Sequence, residues 1–292
     1  MFDGFTLQRV AVSDAVLNVR FGGSGPPLLL LHGHPRTHAT WSKVASILAQ
    51  SYTVVCPDLR GFGQSSKPAD QHNHAGSSKR AKAKDCLELM RSLGFEQFAI
   101  AGHDRGSYTA YRAALDYPEN ITHLAVLDCV PIIEALERCN ARFAHDWYHW
   151  FFFAQPEKPE RAILDDPDVW YGGRPEGMGD EEYAVFYRAI HDPATVHTMI
   201  EDYRAGLTID REHEEADRRR GRKIRCPVLC LWSARDDLGQ LYDDIPGIWR
   251  DWAHNVCGKS INSGHHMAED APEELAAELS QFFSTSSFER KE

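Results

Sequence analysis

Short apolar runs alternate with amphipathic stretches along the first half of the chain. This alternation is typical of strands and helices that take turns around a mostly parallel sheet, and it predicts an α/β fold. In open parallel sheets ligands bind beyond the carboxyl ends of the strands, so the loops that follow the strands are the places to search for chemistry. The predicted strands are Leu28–Leu31, Tyr52–Cys56, Phe98–Ala101, Leu124–Leu127, Val228–Trp232 and Val256–Ile261.

A stretch without a clear strand separates the fourth and fifth predicted strands. It runs from about Ile133 to Lys223, is rich in aromatic residues, and is predicted to be a helical insertion that covers one edge of the sheet. The chain then divides into a core built from residues 1–132 and 224–292 and a helical cap at 133–223. Two charged tracts, Gly76–Lys84 and Asp210–Lys223, are expected to be solvated surface.

Composition narrows the classes of partner. The chain has 292 residues, 42% of them hydrophobic, which is enough for one large core or two modest ones. Lys and Arg number 32 against 43 Asp and Glu, and the net charge of −11 argues against a nucleic-acid partner.

No apolar run reaches the roughly 18 residues that cross a bilayer, and Met1 to Val10 lacks the layout of a secretory signal, so we expect a cytoplasmic protein without membrane contact. The seven scattered cysteines are expected to be reduced and buried.

The segment Gly102-His103-Asp104-Arg105-Gly106 lies between a predicted strand and the predicted helical stretch Ser107–Leu115. Glycines on both sides of a three-residue tip are typical of a nucleophile elbow, the sharp strand-to-helix turn that exposes its central side chain. The central residue is Asp104, and a carboxylate can displace a leaving group from saturated carbon to give an alkyl ester. Hydrolysis of that ester develops an oxyanion, for which the backbone N–H groups of Arg105 and of His34, in the turn His32-Gly33-His34-Pro35, are the predicted donors.

A base must then activate the water that hydrolyses the ester. Ser263-Gly264-His265-His266 follows the last predicted strand, and His265 is favoured over His266 because it comes directly after the turn glycine. The acid that orients this base follows either the fourth predicted strand, as Asp128, or the fifth, as Asp236 or Asp237. Both loops lie at the same edge of the sheet, so the residues alone leave these alternatives open.

Four motifs resemble the α/β-hydrolase superfamily over nearly the whole chain: His32-Gly33-His34-Pro35, Asp58-Leu59-Arg60-Gly61-Phe62-Gly63-Gln64-Ser65, Gly102-His103-Asp104-Arg105-Gly106 and Gly264-His265. Within it, Asp104-Arg105 at the elbow and the run from Tyr148 to Pro156 resemble the fluoroacetate (haloacetate) dehalogenases. The resemblance implies a mostly parallel eight-stranded sheet flanked by helices, a helical cap after the sixth strand, no cofactor, and a homodimer. It also favours Asp128 as the acid, because Leu127-Asp128-Cys129-Val130-Pro131 matches the family's setting for that residue.

Carried over residue by residue, the resemblance implies a hydrolytic dehalogenase whose small-molecule substrate is a short 2-haloacid. Asp104 would attack the α-carbon, Arg105 would hold the substrate carboxylate with two donors, and His265 with Asp128 would activate water. The halide would be held by His149, Trp150 and Tyr203. Departing fluoride is small and strongly hydrated, so it needs the N–H and O–H donors that imidazole, indole and phenol provide.

Three positions depart from the pattern of that family. Tyr108 stands where the family has a second arginine, and a phenol donates one hydrogen bond without charge, so the hold on a carboxylate should weaken by about 1–3 kcal/mol. Arg36, which follows Pro35, is predicted to return a positive charge to the carboxylate site from another loop. His34 stands where the family usually has an aromatic hydrocarbon, and a polar ring there makes the entrance wetter.

An epoxide hydrolase is the nearest alternative, because it uses the same nucleophile, base and acid but needs two tyrosines to protonate the epoxide oxygen. A buried Arg105 without an anionic substrate would be costly, which favours the dehalogenase. A non-catalytic receptor on this fold would have a damaged triad, whereas Asp104, Asp128 and His265 are all present. The tyrosines that the predicted cap offers to an epoxide are Tyr148, Tyr183, Tyr187 and Tyr203.

The remaining histidines show no spacing typical of metal ligands, and no metal is expected. His145 and His149, four residues apart on a predicted helix, are the one pair for which zinc is conceivable. His103 is expected to pack beneath the elbow.

Overall fold

The computed structural model describes residues 1–284, and its eight strands form one sheet. The strands are β1 (Thr6–Val12), β2 (Ala15–Gly23), β3 (Pro27–Leu31), β4 (Thr53–Pro57), β5 (Phe98–His103), β6 (Ile121–Leu127), β7 (Val228–Ser233) and β8 (Val256–Ile261). The helices are α1 (Ser42–Leu48), α2 (Lys79–Ser92), α3 (Arg105–Asp116), α4 (Ile132–Glu137), α5 (Ala141–Asp146), α6 (His149–Phe153), α7 (Lys158–Asp165), α8 (Pro167–Trp170), α9 (Asp180–Ile190), α10 (Pro193–Ala205), α11 (Arg211–Arg219), α12 (Leu238–Leu241), α13 (Ile245–Arg250), α14 (Met267–Asp270) and α15 (Pro272–Phe283). Short 3₁₀ turns lie at His38–Trp41 and His72–Ser77, and a π turn lies at Gly206–Asp210.

The sheet is mostly parallel and flanked by helices, which confirms the predicted fold class. Its strands lie in the order β1-β2-β4-β3-β5-β6-β7-β8, and the pairs from β4 to β8 are parallel. The six predicted strands correspond to β3–β8, with shifts of a few residues at their ends. The antiparallel hairpin β1–β2 is not among the predicted strands, because edge strand β1 has no buried side chain and its apolar residues are interrupted by polar ones.

Alternate residues of the central strands pack against opposite layers of helices. Leu29 and Leu31 belong to the apolar cluster that includes residues of α2 and α3, whereas Leu28 and Leu30 belong to the cluster that includes α1 and α15. Burial on both faces explains why these strands appear in the sequence as near-continuous apolar runs. Since β3 and β5–β8 run parallel, the loops that follow them meet at one edge of the sheet.

The chain between β6 and β7 folds into helices α4–α11, which we call the helical segment. Its longest member, α10, packs against α7 and against the His72–Ser77 turn of the loop that follows β4. The helical segment therefore meets the sheet-bearing part of the chain near the carboxyl ends of the strands. Among residues 1–284, no helix combines the length and the apolar character needed to cross a bilayer.

Both charged tracts contain buried charges, which corrects the expectation that they are solvated surface. Lys79, Lys82 and Asp217 are each 1% exposed. Both lysines bind Asp202 of α10, and Asp217 binds Arg112 of α3. These charges are tolerated inside because each meets an opposite charge, a tertiary arrangement that the composition of a tract does not indicate.

All seven cysteines are free thiols. Five of them are buried, as expected, because they lie in or beside strands and helices of the core. Cys139 and Cys257 are exposed, which corrects the expectation for those two positions.

Candidate active site

Asp104 lies at the tip of the turn between β5 and α3, in a strained backbone conformation. Its φ is 50° and its ψ is −120°, a region that L residues rarely adopt. The turn needs glycines around it because other atoms fill the space that a Cβ would occupy. A Cβ on Gly33 would lie 2.3 Å from Asp104 Oδ1, and one on Gly106 would lie 2.4 Å from the carbonyl oxygen of Leu31. The local geometry is therefore that of an elbow that exposes the Asp104 carboxylate.

The turn after β3 supplies a hydrogen-bond donor to this carboxylate. The backbone N–H of His34 donates to Asp104 Oδ1 at 2.7 Å. Arg105 is the first residue of α3, so its backbone N–H has no acceptor within the helix. One of the two predicted oxyanion donors thus contacts Asp104 directly, and the other belongs to the next residue along the chain.

The His34 ring lies among aromatic rings of the helical segment. Its centroid is 5.3 Å from that of Tyr203 and 5.6 Å from those of Phe153 and Tyr171. Burial lowers the pKa of His34 to about 3, although the charge of Asp104 opposes that shift. The ring is therefore neutral at ordinary pH, and its Nδ1 is a buried polar atom without a hydrogen-bond partner.

His265 contacts acids from both loops that sequence analysis leaves open. Its Nδ1 lies 2.7 Å from Asp128 Oδ2 and 3.3 Å from Asp236 Oδ2. Asp128, directly after β6, is 4% exposed and also accepts a hydrogen bond from the backbone N–H of Ser233 at 3.1 Å. Asp237 instead accepts a hydrogen bond from the Trp147 indole at 2.7 Å. Asp128 is thus the closer and better anchored partner of His265, and Asp236 is a second acid beside it.

The two carboxylates change the acidity of His265. Burial by itself lowers the pKa of His265, but the bonds to Asp128 and Asp236 and the charge of Asp104 outweigh it and raise this pKa well above its usual value. The buried His103 holds the loop that carries this ring, because its Nε2 lies 2.7 Å from the His265 carbonyl oxygen. His103 is thus buried against the loop that carries His265 and His266.

Asp104 and His265 line one cavity of about 320 Å³ together with side chains of the helical segment. The three predicted halide ligands, His149, Trp150 and Tyr203, are all part of its wall. The Tyr203 ring centroid lies 5.6 Å from that of His149 and 6.4 Å from that of Trp150. Lining residues that sequence analysis does not assign to the site include Trp147, Phe153, Trp170 and Tyr171.

The predicted halide ligands and Tyr108 are uncharged in this cavity. Burial lowers the pKa of His149 to about 4, so its imidazole is neutral at ordinary pH. Burial also raises the pKa of the Tyr203 and Tyr108 hydroxyls well above their usual value. Together with the indole of Trp150, these groups offer N–H and O–H donors that carry no charge of their own.

Arg105 is held by Asp202 of α10 rather than exposed in the cavity. Its side chain is 1% exposed, its Nε lies 2.5 Å from Asp202 Oδ2, and its Nη2 donates to the Asp202 carbonyl oxygen at 2.9 Å. The guanidinium carbon lies 4.1 Å from the Tyr203 ring centroid. These contacts use two of the five guanidinium N–H groups, and Arg105 is not part of the cavity wall, so the expected hold on a substrate by two Arg105 donors is not seen in this arrangement.

Arg36 does not supply the second positive charge. Its Nε and Nη2 donate to the two carboxylate oxygens of Glu269 at 2.8 and 3.1 Å, and its guanidinium lies over the Phe186 ring. The residue is 4% exposed and is not part of the cavity wall. The prediction that Arg36 returns a charge to the carboxylate site is therefore wrong, because a buried bidentate ion pair already satisfies that charge.

A buried group of charges lies behind Arg105. Lys79 and Lys82 of α2 bind the same Asp202 carboxylate, and Lys79 also lies 3.4 Å from Asp210. Burial lowers the pKa of Lys82 to about 8, while Asp202 opposes that shift. Asp202 is not predicted from the sequence as a partner of Arg105, and its only sequence signal is its position next to Tyr203.

Comparisons with known proteins connect this arrangement to a family. The family described as alpha/beta hydrolase fold matches residues 26–272. The chain is 41% identical to a fluoroacetate dehalogenase from Burkholderia sp, over 97% of this chain and 95% of that protein, and 32% identical to a soluble epoxide hydrolase from Corynebacterium sp. (strain C12), over 89% and 91%. The structure of a proposed α/β hydrolase from Nostoc sp PCC 7120 has a TM-score of 0.94 and 40% identity, and it covers 98% of this chain and 100% of that one. The chain therefore belongs to the α/β-hydrolase family and, within it, to the family of the fluoroacetate dehalogenases.

Proposed function

We propose that this chain is a hydrolytic dehalogenase that acts on short 2-haloacids. One observation carries the proposal: Asp104 is presented by a strained elbow into the same cavity as a histidine that is bound to a buried acid. A carboxylate in the position of the nucleophile suits displacement at saturated carbon, and the kinship with a fluoroacetate dehalogenase supports a carbon–halogen bond as the target.

In the first step Asp104 attacks the carbon that bears the halogen. A bond forms between a carboxylate oxygen and that carbon, and the carbon–halogen bond breaks with its electron pair on the halide. His149, Trp150 and Tyr203 receive the halide through neutral N–H and O–H donors. The enzyme then carries an alkyl ester on Asp104.

In the second step water hydrolyses this ester. His265 takes a proton from water while Asp128 holds the imidazole in position, and the water oxygen attacks the carboxyl carbon of Asp104. The backbone N–H groups of His34 and Arg105 stabilise the oxyanion. The bond between the carboxyl carbon and the alkyl oxygen then breaks, and the hydroxy acid takes the proton from His265. Asp104 is left as a carboxylic acid, which carries the second proton of the water and releases it to solvent to restore the carboxylate.

The substrate carboxylate is held by a weaker set of donors than in a site with two free arginines. The Tyr108 hydroxyl supplies a neutral donor from the cavity wall, and Arg105, one turn earlier on α3, contributes positive charge from behind that wall. A hydrogen bond to a charged group contributes about 1.5–3 kcal/mol, against about 0.5–1.5 kcal/mol for a neutral one. We therefore expect a high KM for haloacids rather than loss of turnover.

Residues 133–223 act as a cap in this proposal, since most of the aromatic wall comes from the helical segment. The kinship with the fluoroacetate dehalogenases also supports a homodimer. Light scattering coupled to size-exclusion chromatography tests the dimer, and a mass near the 33.0 kDa of one chain would contradict it.

Epoxide hydrolysis is a second candidate that one observation favours. The hydroxyl of Tyr171 is buried in the cavity wall without a hydrogen-bond partner, and Tyr203 lies in the same wall, so two phenols are available to an epoxide oxygen. Tyr183 and Tyr187, considered as epoxide ligands from the sequence, are not part of this wall, and Tyr148 is 53% exposed at its edge. The 32% identity with a soluble epoxide hydrolase supports the same candidate.

Halide release from fluoroacetate, chloroacetate and 2-chloropropionate tests the proposal, with turnover of styrene oxide measured in parallel. We expect halide release by the wild type and none by Asp104→Asn, because an amide is a poor nucleophile. Circular dichroism of the variant controls for its folding. Diol formation from styrene oxide without halide release from any of the three acids would overturn the dehalogenase in favour of the epoxide hydrolase.

A further inference from the structure

A second cluster of histidines and carboxylates lies outside the catalytic cavity. It lines an open groove of about 630 Å³ between α7, α10 and the loop that follows β4. This groove does not include the histidine pair for which the sequence suggested zinc. The His145 side chain is 87% exposed, and His149 lines the catalytic cavity. The groove is instead formed around Asp70, His197 and Glu201.

These three side chains lie close enough together to bind one metal ion after small side-chain movements. One ligand atom from each of Asp70, His197 and Glu201 lies within 4.8 Å of the other two, and His197 Nε2 is 2.9 Å from Asp70 Oδ1. Zinc binds nitrogen and carboxylate oxygen at about 2.0–2.2 Å, so two ligands of one tetrahedral ion lie about 3.4 Å apart. The Asp70 side chain is 68% exposed, so it can make the movement of about 1 Å that this requires.

Further residues of the groove position the three ligand groups. His197 Nδ1 lies 3.2 Å from Glu160 Oε1, so this carboxylate can accept an Nδ1 proton while Nε2, which faces Asp70, serves as the ligand atom. A carboxylate behind a metal-binding histidine fixes its tautomer and its ring orientation in many metal sites. Glu201 is held from two sides, by His74 at 2.7 Å and by Arg204 at 2.9 Å, and each of its oxygens keeps a second lone pair.

The charge of the groove also suits a cation. Its wall contains four carboxylates against two guanidinium groups, which gives a formal charge of −4 + 2 = −2 when the imidazoles are neutral. The Glu201 side chain is 7% exposed, so part of this negative charge lies at the base of the groove. The four carboxylates are those of Asp70, Glu157, Glu160 and Glu201, and the guanidinium groups are those of Arg161 and Arg204.

We propose that Asp70, His197 and Glu201 form a binding site for one divalent transition-metal ion, with zinc as the probe, at the junction of the helical segment and the loop after β4. The three protein ligands leave a fourth tetrahedral position for water. The ion joins α10 to the Asp70 loop, and Glu201 lies two residues before Tyr203 of the catalytic cavity. The site is independent of the proposed dehalogenation, since none of its ligands lines that cavity.

Zinc binding to the full chain, measured by equilibrium dialysis and isothermal titration calorimetry, tests this proposal. We expect one equivalent with a micromolar Kd, and a rise in Tm on zinc addition. His197→Gln and Asp70→Asn should each raise the Kd at least tenfold. Asp70→Asn changes an exposed loop side chain, so its effect can be measured even where a helix variant fails to fold.

The matched control is His191→Gln, because His191 is another partly exposed histidine that pairs with a carboxylate, Asp168, yet lies outside the groove. Its zinc affinity should equal that of the wild type. Absence of zinc binding to the wild type would overturn the proposal. Equally, an unchanged Kd in both groove variants would assign the zinc to other residues, such as His103, His265 and His266 beside the elbow, and would overturn it.

Discussion

Tyr108 lies on the second turn of α3, where its ring packs between Arg105 and Trp150 and lines the catalytic cavity. In the proposed function its hydroxyl donates to the substrate carboxylate. We expect Tyr108→Phe to raise the KM for chloroacetate by roughly 2- to 12-fold with little change in kcat, because one neutral hydrogen bond contributes about 0.5–1.5 kcal/mol to binding. Steady-state kinetics of chloride release measures this change.

Circular dichroism of Tyr108→Phe controls for its folding. If Tyr108→Phe left the KM for chloroacetate unchanged, the carboxylate would have to be bound elsewhere in the cavity. A fall in kcat with an unchanged KM would point instead to a role of Tyr108 in the chemical step.

Asp236 offers a second prediction at the residue scale, because it adds a carboxylate to the His265–Asp128 pair. A base acts only when it is neutral, so activity is lost as pH falls through the raised pKa of His265. We expect Asp236→Asn to lower this pKa, so the acidic limb of the kcat profile shifts to lower pH. Rates of halide release from about pH 5, below the usual pKa of His, to about pH 10, well above it, locate this acidic limb.

Asp146→Asn serves as the control, because Asp146 lines the same cavity but pairs with His145 and Arg142 rather than with His265. Its acidic limb should coincide with that of the wild type. If the acidic limb of the kcat profile did not move in Asp236→Asn, Asp128 rather than Asp236 would be the carboxylate that raises the pKa of His265.

At the scale of elements, the elbow requires that β3, β5 and α3 approach each other closely. A Cβ on Gly33 would lie 2.3 Å from Asp104 Oδ1 and 2.7 Å from the His103 carbonyl oxygen, closer than real contacts allow. We expect Gly33→Ala to abolish most halide release and to lower the free energy of unfolding by about 1–3 kcal/mol, because backbone shifts must relieve the overlap. Urea denaturation and the halide assay measure the two effects.

Gly239→Ala is the matched control, since a Cβ there would meet Trp232 at 3.4 Å, an ordinary contact. Gly239 lies within α12, where alanine is favoured over glycine by up to about 1 kcal/mol. We therefore expect equal or higher stability and unchanged turnover. If the two substitutions had equal effects on the free energy of unfolding and on halide release, the elbow would tolerate a side chain at Gly33.

The elements themselves differ in how well the sequence indicates them. Strands β3–β8 are indicated because burial on both faces demands long apolar runs, and the elbow is indicated because its glycines have no substitute. The β1–β2 hairpin gives a weak signal, since an edge strand mixes polar and apolar residues. The sequence around the buried lysines of α2 is misleading about their burial, because a charged tract is usually solvated.

At the scale of the whole molecule, Asp202 connects the helical segment to the rest of the chain. It lies on α10 and binds Arg105 of α3 and both Lys79 and Lys82 of α2. We expect Asp202→Asn to lower the free energy of unfolding by roughly 3–5 kcal/mol, because it leaves the buried Arg105 and Lys82 without an opposite charge. Urea denaturation at pH 7 measures the loss.

The pH dependence of stability gives a second readout. These cations hold the pKa of Asp202 well below its usual value, although burial opposes them. Its contribution is therefore complete above the pKa of an unfolded aspartate, about 3.9, and is lost as pH falls towards the folded value. Glu137→Gln, which removes the exposed partner of Arg218, should change stability by less than about 0.5 kcal/mol. Comparable losses in the two variants would contradict the role given to Asp202.

The fold class, the elbow with Asp104 and the position of His265 after the last strand follow from local sequence, because apolar periodicity and turn chemistry are properties of neighbouring residues. Which charges meet depends instead on tertiary packing. Arg105 and Asp202 are 97 positions apart, and Arg36 and Glu269 are 233 apart, so no local pattern indicates either pair. The same holds for the approach of Asp236 to His265. A buried charge takes the opposite charge that the fold brings nearest, and that distance is set by the packing of whole elements.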